Sequence, residues 1–180
     1  MELMISESSF LIQTARLGDA PALADLVNSA YRGDSSRQGW TTEADLLSGQ
    51  RTDAEKVSEM IRSQDGVIMM GLRDGRLESC VYLQKKDDRA YLGMLTVRPE
   101  LQNAGWGKKL LKQSEDWIRQ HWQSPLIEMT VITTRTELLK WYERHGYQRT
   151  EKTLPFPYHD ERFGIPKVPD LKFIILEKKM

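Results

Sequence analysis

A chain of 180 residues with 26 basic and 26 acidic side chains has the length of one domain and no formal net charge, and it is long enough to bury about 70% of the surface exposed when unfolded. Apolar residues at 39% and charged residues at 29% exclude a disordered chain, and the charge balance excludes electrostatic capture of nucleic acid or of an anionic membrane as the main activity. Runs such as Val67 to Leu72 and Phe173 to Leu176 fall far short of the roughly 20 apolar residues of a membrane-spanning helix. The first fifteen residues hold no Lys or Arg and no apolar stretch of signal length, so the expected compartment is the cytoplasm. The lone Cys80 cannot make an internal disulfide or a thiolate metal cluster.

No linker, repeat or low-complexity tract divides residues 1–180, which read as a single domain. Phe10 to Ala15 has the pattern of a strand, and Gly18-Asp19 precedes a helix carrying Leu23, Leu26, Val27 and Ala30 on one face. Tyr31 to Trp40 reads as a loop. A helix is expected near Thr41 or Thr42, and another after Thr52, where Thr52-x-x-Glu55 has the form of a capping box ahead of Val57, Met60 and Ile61. The period then changes to two: Val67 to Leu72, Leu77 to Gln84 and Ala90 to Val97, joined by short polar turns, predict an antiparallel meander. From Gly107, Leu110, Leu111, Ser114, Trp117, Ile118 and His121 form the stripe of a long helix. Leu126 to Ile132 predicts a strand and Thr136 to His145 a helix stopped at Gly146. Tyr147 to Leu154 and Leu171 to Glu177 are the last strands, separated by a loop with four of the seven prolines. This order gives a mixed α/β fold around one sheet.

The segment from Leu92 to Leu111 carries the chemistry: a strand enters a glycine-punctuated turn that opens a helix. Unpaired N–H groups at a helix start favour an anion, and glycine lets the backbone approach it. A dinucleotide fingerprint fails because position 110 is Leu, and a Walker A loop fails because Lys109 follows Lys108 where Ser or Thr is required.

What remains, Gln102-x-x-Gly105-x-Gly107 after Val97-Arg98-Pro99, resembles the pyrophosphate-binding motif of the GNAT superfamily of acyl-CoA-dependent N-acyltransferases. Ile12 to Ala22 looks like that family's first strand and turn, and Leu139 to Tyr147 like its late helix and strand, so the resemblance spans most of residues 10–150. It implies a central, mostly antiparallel sheet flanked by helices, and acetyl-CoA as acyl donor with no metal. It further implies that the backbone of Gln102, Asn103, Ala104, Gly105, Trp106 and Gly107 holds the CoA diphosphate, while Leu95, Thr96 and Val97 pair with the pantetheine arm. Lys108 and Lys109 either assist the phosphates or are solvated. A strand N–H near Leu95 would meet the oxyanion.

Tyr142 matches the position of the acid that protonates the leaving CoA thiolate in many members of the family. A phenol with a pKa of about 10 suits that role, although Tyr142 also fits the core face beside Leu138 and Leu139. The family's glutamate before the phosphate loop corresponds to Tyr91 here, so that general base is absent; Glu128, His159, Asp160 and Glu161 remain as candidates, each equally readable as a paired or exposed residue. Arg135 stands where many relatives carry Asn. Cys80 reads as a buried, inert thiol. Tyr31 to Trp40, with Arg32 and Arg37, is suited to a carboxylate-bearing acceptor, and Pro155 to Gly164 to a lid. The expected activity is transfer of acetyl to a primary amine, small molecule or peptide, by direct attack in a ternary complex. The rival is a CoA-binding sensor domain without catalysis. Nucleic acid and membrane are not expected partners, and a homodimer is allowed by the family.

Overall fold

The computed structural model describes residues 10–180, so the single domain expected over 1–180 is described from Phe10 onward. Its elements are β1 (Phe10–Thr14), α1 (Ala20–Tyr31), the short α2 (Gly33–Ser36), β2 (Leu47–Ser48), α3 (Ala54–Arg62), β3 (Gly66–Arg73), β4 (Arg76–Lys85), β5 (Ala90–Val97), α4 (Trp106–His121), β6 (Leu126–Ile132), α5 (Thr136–Arg144), β7 (Gln148–Pro155), β8 (Ile165–Pro166) and β9 (Lys172–Lys179). Seven strands form one sheet in the order β1-β3-β4-β5-β6-β9-β7, and β2 pairs with β8 in a small second sheet. Every pairing is antiparallel except β5 with β6. Among the described residues no helix is long and apolar enough to cross a membrane.

The alternation along the meander divides the core. Met69, Val81, Leu83 and Leu92 pack with Leu110, Leu111 and Ile118 of α4 and with Leu139 and Tyr142 of α5. Ile68, Met70, Cys80 and Tyr82 point the other way, against Leu23, Leu26, Val27 and Ala30 of α1 and Val57 of α3. The unbroken burial of Glu78 to Leu83 in β4 follows from this, since a central strand has helices on both faces. Cys80 is fully buried, and burial pushes its thiol up to about 12, so it is an inert core residue.

Two expectations for the first third of the chain fail, for the same physical reason. No helix forms at Thr41 or Thr42, because the backbone there is held by distant groups: Trp40 and Thr41 donate N–H bonds to the Gln102 side chain, and Glu43 donates to the Tyr31 carbonyl. Leu46 and Leu47 both donate to the Glu43 carbonyl, leaving a turn that leads into β2. Likewise Thr52 does not cap α3. The Asn28 side chain donates to the Thr52 carbonyl and accepts from its N–H, and Asp53 caps instead, accepting from Lys56 N at 2.8 Å. The expected loop Tyr31 to Trp40 also contains α2.

Candidate active site

β5 and β6 pair only at Ala90 with Ile127 and Tyr91 with Glu128, and beyond those residues the two strands separate. On its other side β5 bulges. Cys80 pairs with Thr96 and Tyr82 with Gly93, so Met94 and Leu95 together face Val81, and Met94 takes the left-handed conformation at φ 55°. A bulge turns a strand and re-aims its side chains, and here it leaves Leu95 without a partner residue in either neighbouring strand. The Tyr31 hydroxyl donates to the Leu95 carbonyl at this point.

The chain then crosses into α4 through the glycine turn. Asn103 and Gly105 have φ of 67° and 85°, and no side chain caps α4, which begins at Trp106. The backbone N–H groups of its first turn therefore have no intrahelical acceptor. Only glycine adopts the Gly105 conformation without steric cost. A Cβ at Gly107 would stand 3.5 Å from Trp141, on the wall of a cavity of about 250 Å³.

That cavity is lined by Leu95, Val97, Gln102, Asn103, Gly105, Gly107 and Lys108 from the strand and turn, by Trp141 and Tyr142 from α5, and by His145 at the end of that helix. Of the other residues anticipated from sequence, Ala104 and Trp106 do not line it, and the Trp106 ring packs on Phe10 at 4.5 Å. Thr96 is buried, with its hydroxyl on the Met94 carbonyl. Lys109 lies over the Phe10 ring at 4.4 Å and Lys108 lines the cavity, so only the first of the two lysines stands at the turn's open side. An uncapped helix start, a left-handed glycine and one lysine beside an open wall fit a diphosphate.

The Gln102 side chain does not point into solvent. Its Oε1 accepts from the N–H of Trp40 (2.8 Å) and Thr41 (3.2 Å), and its Nε2 donates to Thr41 Oγ1 (2.8 Å) and the Val97 carbonyl (3.0 Å). It thereby fastens the Trp40 loop across the mouth of the cavity, with the Trp40 and Trp141 rings 6.2 Å apart. Gln102→Ala strips partners from part-buried backbone groups and is expected to cost about 1–3 kcal/mol. Thermal unfolding and acetyl-CoA titration of the variant check this: a lower midpoint together with weaker binding is expected, and wild-type values for both would contradict it.

A smaller cavity adjoins the first and shares Tyr31, Leu95, Leu138 and Tyr142 with it. Its charged lining is Arg32, Glu43, Arg51 and Arg135, and its aromatic walls include Tyr91, Phe156, Phe163 and Phe173. Glu43 sits at the centre, buried, with Arg32 Nη1 at 2.5 Å from Oε1 and Arg135 Nη1 at 3.4 Å from Oε2. Burial alone would push the Glu43 carboxyl up, but Arg135, Arg32 and Arg51 together hold it below the usual carboxylate range. Arg135, the departure from the family's Asn, also donates to the Thr41 carbonyl and so ties α5 to the Trp40 loop. Arg32 Nη2 donates to the Phe163 carbonyl at 2.9 Å, which anchors the proline-rich loop beside the cavity. Arg37, by contrast, is outside, paired with Asp45 at 2.8 Å.

Tyr142 lies where the two cavities meet, 6% exposed and edge-on to Trp141 and Tyr147. Burial, followed by the neighbouring Tyr31, raises its pKa well above that of a free phenol, so its hydroxyl keeps its proton at neutral pH. The candidate bases lie elsewhere. Glu128 is held by Lys86 (3.1 Å) and Arg89 (2.9 Å) away from both cavities. Asp160 caps a short 3-10 turn, and neither His159 nor Glu161 lines either cavity. The sequence reading missed Glu43 and Arg51, which bear no motif spacing to the glycine turn. His145 and Trp141 belong to the late-helix segment that sequence already marked.

Residues 22–147 match the model of the Acetyltransferase (GNAT) family. The fold is similar to that of the ribosomal-protein-S18-alanine N-acetyltransferase from Escherichia coli, with a TM-score of 0.69 at 15% identity over 95% of this chain and 94% of that one. It is similar to the PaiA N-acetyltransferase from Thermoplasma acidophilum in complex with coenzyme A, with a TM-score of 0.69 at 18% identity over 96% and 99% of the two chains. The yncA protein from Salmonella typhimurium with acetyl-CoA has a TM-score of 0.67 at 14% identity over 94% and 93%. No curated protein matches at a significant level. The splayed β5–β6 pair, the uncapped glycine turn and the family match agree: the chain belongs to the GNAT acetyltransferase family.

Proposed function

We propose that the protein transfers an acetyl group from acetyl-CoA to a primary amine by direct attack, with both substrates bound together. The observation that supports this most is the meeting of the two cavities at Tyr142 and Leu95, which sets a donor compartment against an acceptor compartment at one point. Acetyl-CoA supplies the activated thioester. The N–H groups of the Gly105 to Lys108 turn bind its diphosphate, and the free edge of β5 at Leu95 to Val97 pairs with its amide arm. The Leu95 N–H stands where negative charge develops on the carbonyl oxygen. Tyr142 holds a proton at its hydroxyl and gives it to the departing sulfur. Burial raises the phenol, so Tyr142 keeps this proton until negative charge builds on the sulfur.

The acceptor reaches Tyr142 as the free amine. Among the described residues, the one carboxylate lining either cavity is Glu43, and its two oxygens are engaged by arginines, so deprotonation is left to solvent. The test is release of thiol from acetyl-CoA across an amine panel, beside calorimetric titration with acetyl-CoA and with ATP as a phosphate control. Amine-dependent release and binding selective for acetyl-CoA are expected. No binding at saturating ligand, or binding without release on any amine, would overturn the reading in favour of a fold kept without catalysis. Cys80 is buried and adds no background to a thiol readout.

A further inference from the structure

The acceptor cavity carries three guanidinium groups against one carboxylate, a surplus of two positive charges. Arg32 and Arg135 are committed to Glu43 and to the Phe163 and Thr41 carbonyls. Arg51 is not. Among the described residues it forms no ion pair, its charge acts on Glu43 only at longer range, and its guanidinium lies 5.8 Å from the centre of the Tyr31 ring on the cavity wall. Phe156, Phe163 and Phe173 supply an apolar side to the same space. From this we infer that the acceptor is an amine bearing a carboxylate and an apolar side chain, an amino-acid-like molecule, and that Arg51 is the residue that reads the carboxylate; the inference rests on the acetyl-transfer reading above.

The chemistry selects this class over its neighbours. A planar guanidinium fork matches a carboxylate in two parallel hydrogen bonds, and an anion here offsets charge that Glu43 leaves uncompensated. A polycation, such as a polyamine or a Lys-rich peptide, adds like charge to a partly desolvated positive site. The same surplus disfavours an ammonium, so an amine held beside Tyr142 is favoured as its free base without any carboxylate base in the protein.

Matched trios test the inference on the full chain: an apolar amino acid, its amide, and the amine lacking the carboxyl group, each assayed by thiol release. The acid is expected to exceed both others in kcat/KM by about 10- to 100-fold, the size of a hydrogen bond to a charged group. Arg51→Gln is expected to collapse that ratio toward one, and Arg51→Lys, which keeps charge but not the fork, to retain part of it. A preference for neutral or cationic amines, or an equal loss on all three in Arg51→Gln, would overturn the carboxylate assignment while leaving acetyl transfer in place. Absence of thiol release with every amine would instead strike the acetyl-transfer reading. Calorimetry with the N-acetyl amino acid and the N-acetyl amine then still decides the site: the acid should bind wild type and weaken at least tenfold in Arg51→Gln, and equal or absent binding of the two overturns the assignment.

Discussion

Tyr142→Phe is expected to lower kcat by about 100-fold or more while acetyl-CoA binding persists, because the phenol oxygen is the only atom removed. The ring and its edge contacts with Trp141 and Tyr147 at 5.1 and 5.8 Å are retained, so folding is preserved and the loss reports on the proton. The pH profile gives a second readout. Burial holds Tyr142 protonated well beyond the range of a free phenol, so activity should climb with pH as the amine loses its proton and should not fall near pH 10, where an ordinary tyrosine would ionise. Wild-type turnover in the Phe variant would remove Tyr142 from the reaction and return it to the core face that its burial also permits.

Glu43→Ala carries the largest expected effect on stability, a loss of about 3–5 kcal/mol. The side chain is 7% exposed and its removal leaves Arg32, itself 4% exposed, and Arg135 facing each other without an anion between them. Glu43→Gln keeps the shape and should still destabilise at neutral pH, since an amide does not balance two guanidinium groups. The pH dependence has a definite sign. The folded-state pKa of Glu43 lies below its unfolded value, so the stability it contributes is fully present above the unfolded carboxylate pKa of about 4.3 and is lost as pH falls through the lower, folded value. Denaturant titration of wild type and Glu43→Gln should therefore show a gap at pH 7 that closes at strongly acid pH. Equal stabilities at pH 7 would contradict a structural role for the cluster.

These residues show what is legible in a sequence and what is not. The β3–β4–β5 meander, α4 and α5 are each announced by spacing: alternation of apolar residues in the first, a 3.6-residue stripe in the others, with Gly and Pro marking the ends. The glycine turn is legible for the same reason, since its conformation depends on Gly105 itself and on its place between a strand and a helix. Tyr142 is legible through the resemblance of Leu139 to Tyr147 to the family's late helix and strand. All of these are local relations, in which a few neighbouring residues contain the cause.

The segment from Thr41 to Thr52 obeys no such rule. Its backbone groups are taken by Gln102, Tyr31 and Asn28, from 12 to 61 residues away, and those hydrogen bonds outweigh the local preference for helix. Glu43 and Arg51 join Arg32 and Arg135 at the smaller cavity, which residues of β5 and β6 also line. The meander, α4, α5, the glycine turn and the family can be read from the chain alone, because each depends on short-range periodicity and on residues with special backbone freedom. Which charges share the smaller cavity, and which one among the described residues forms no ion pair, emerges from the folded chain, because charge pairing is set by distance through space, and distance along the chain does not report it.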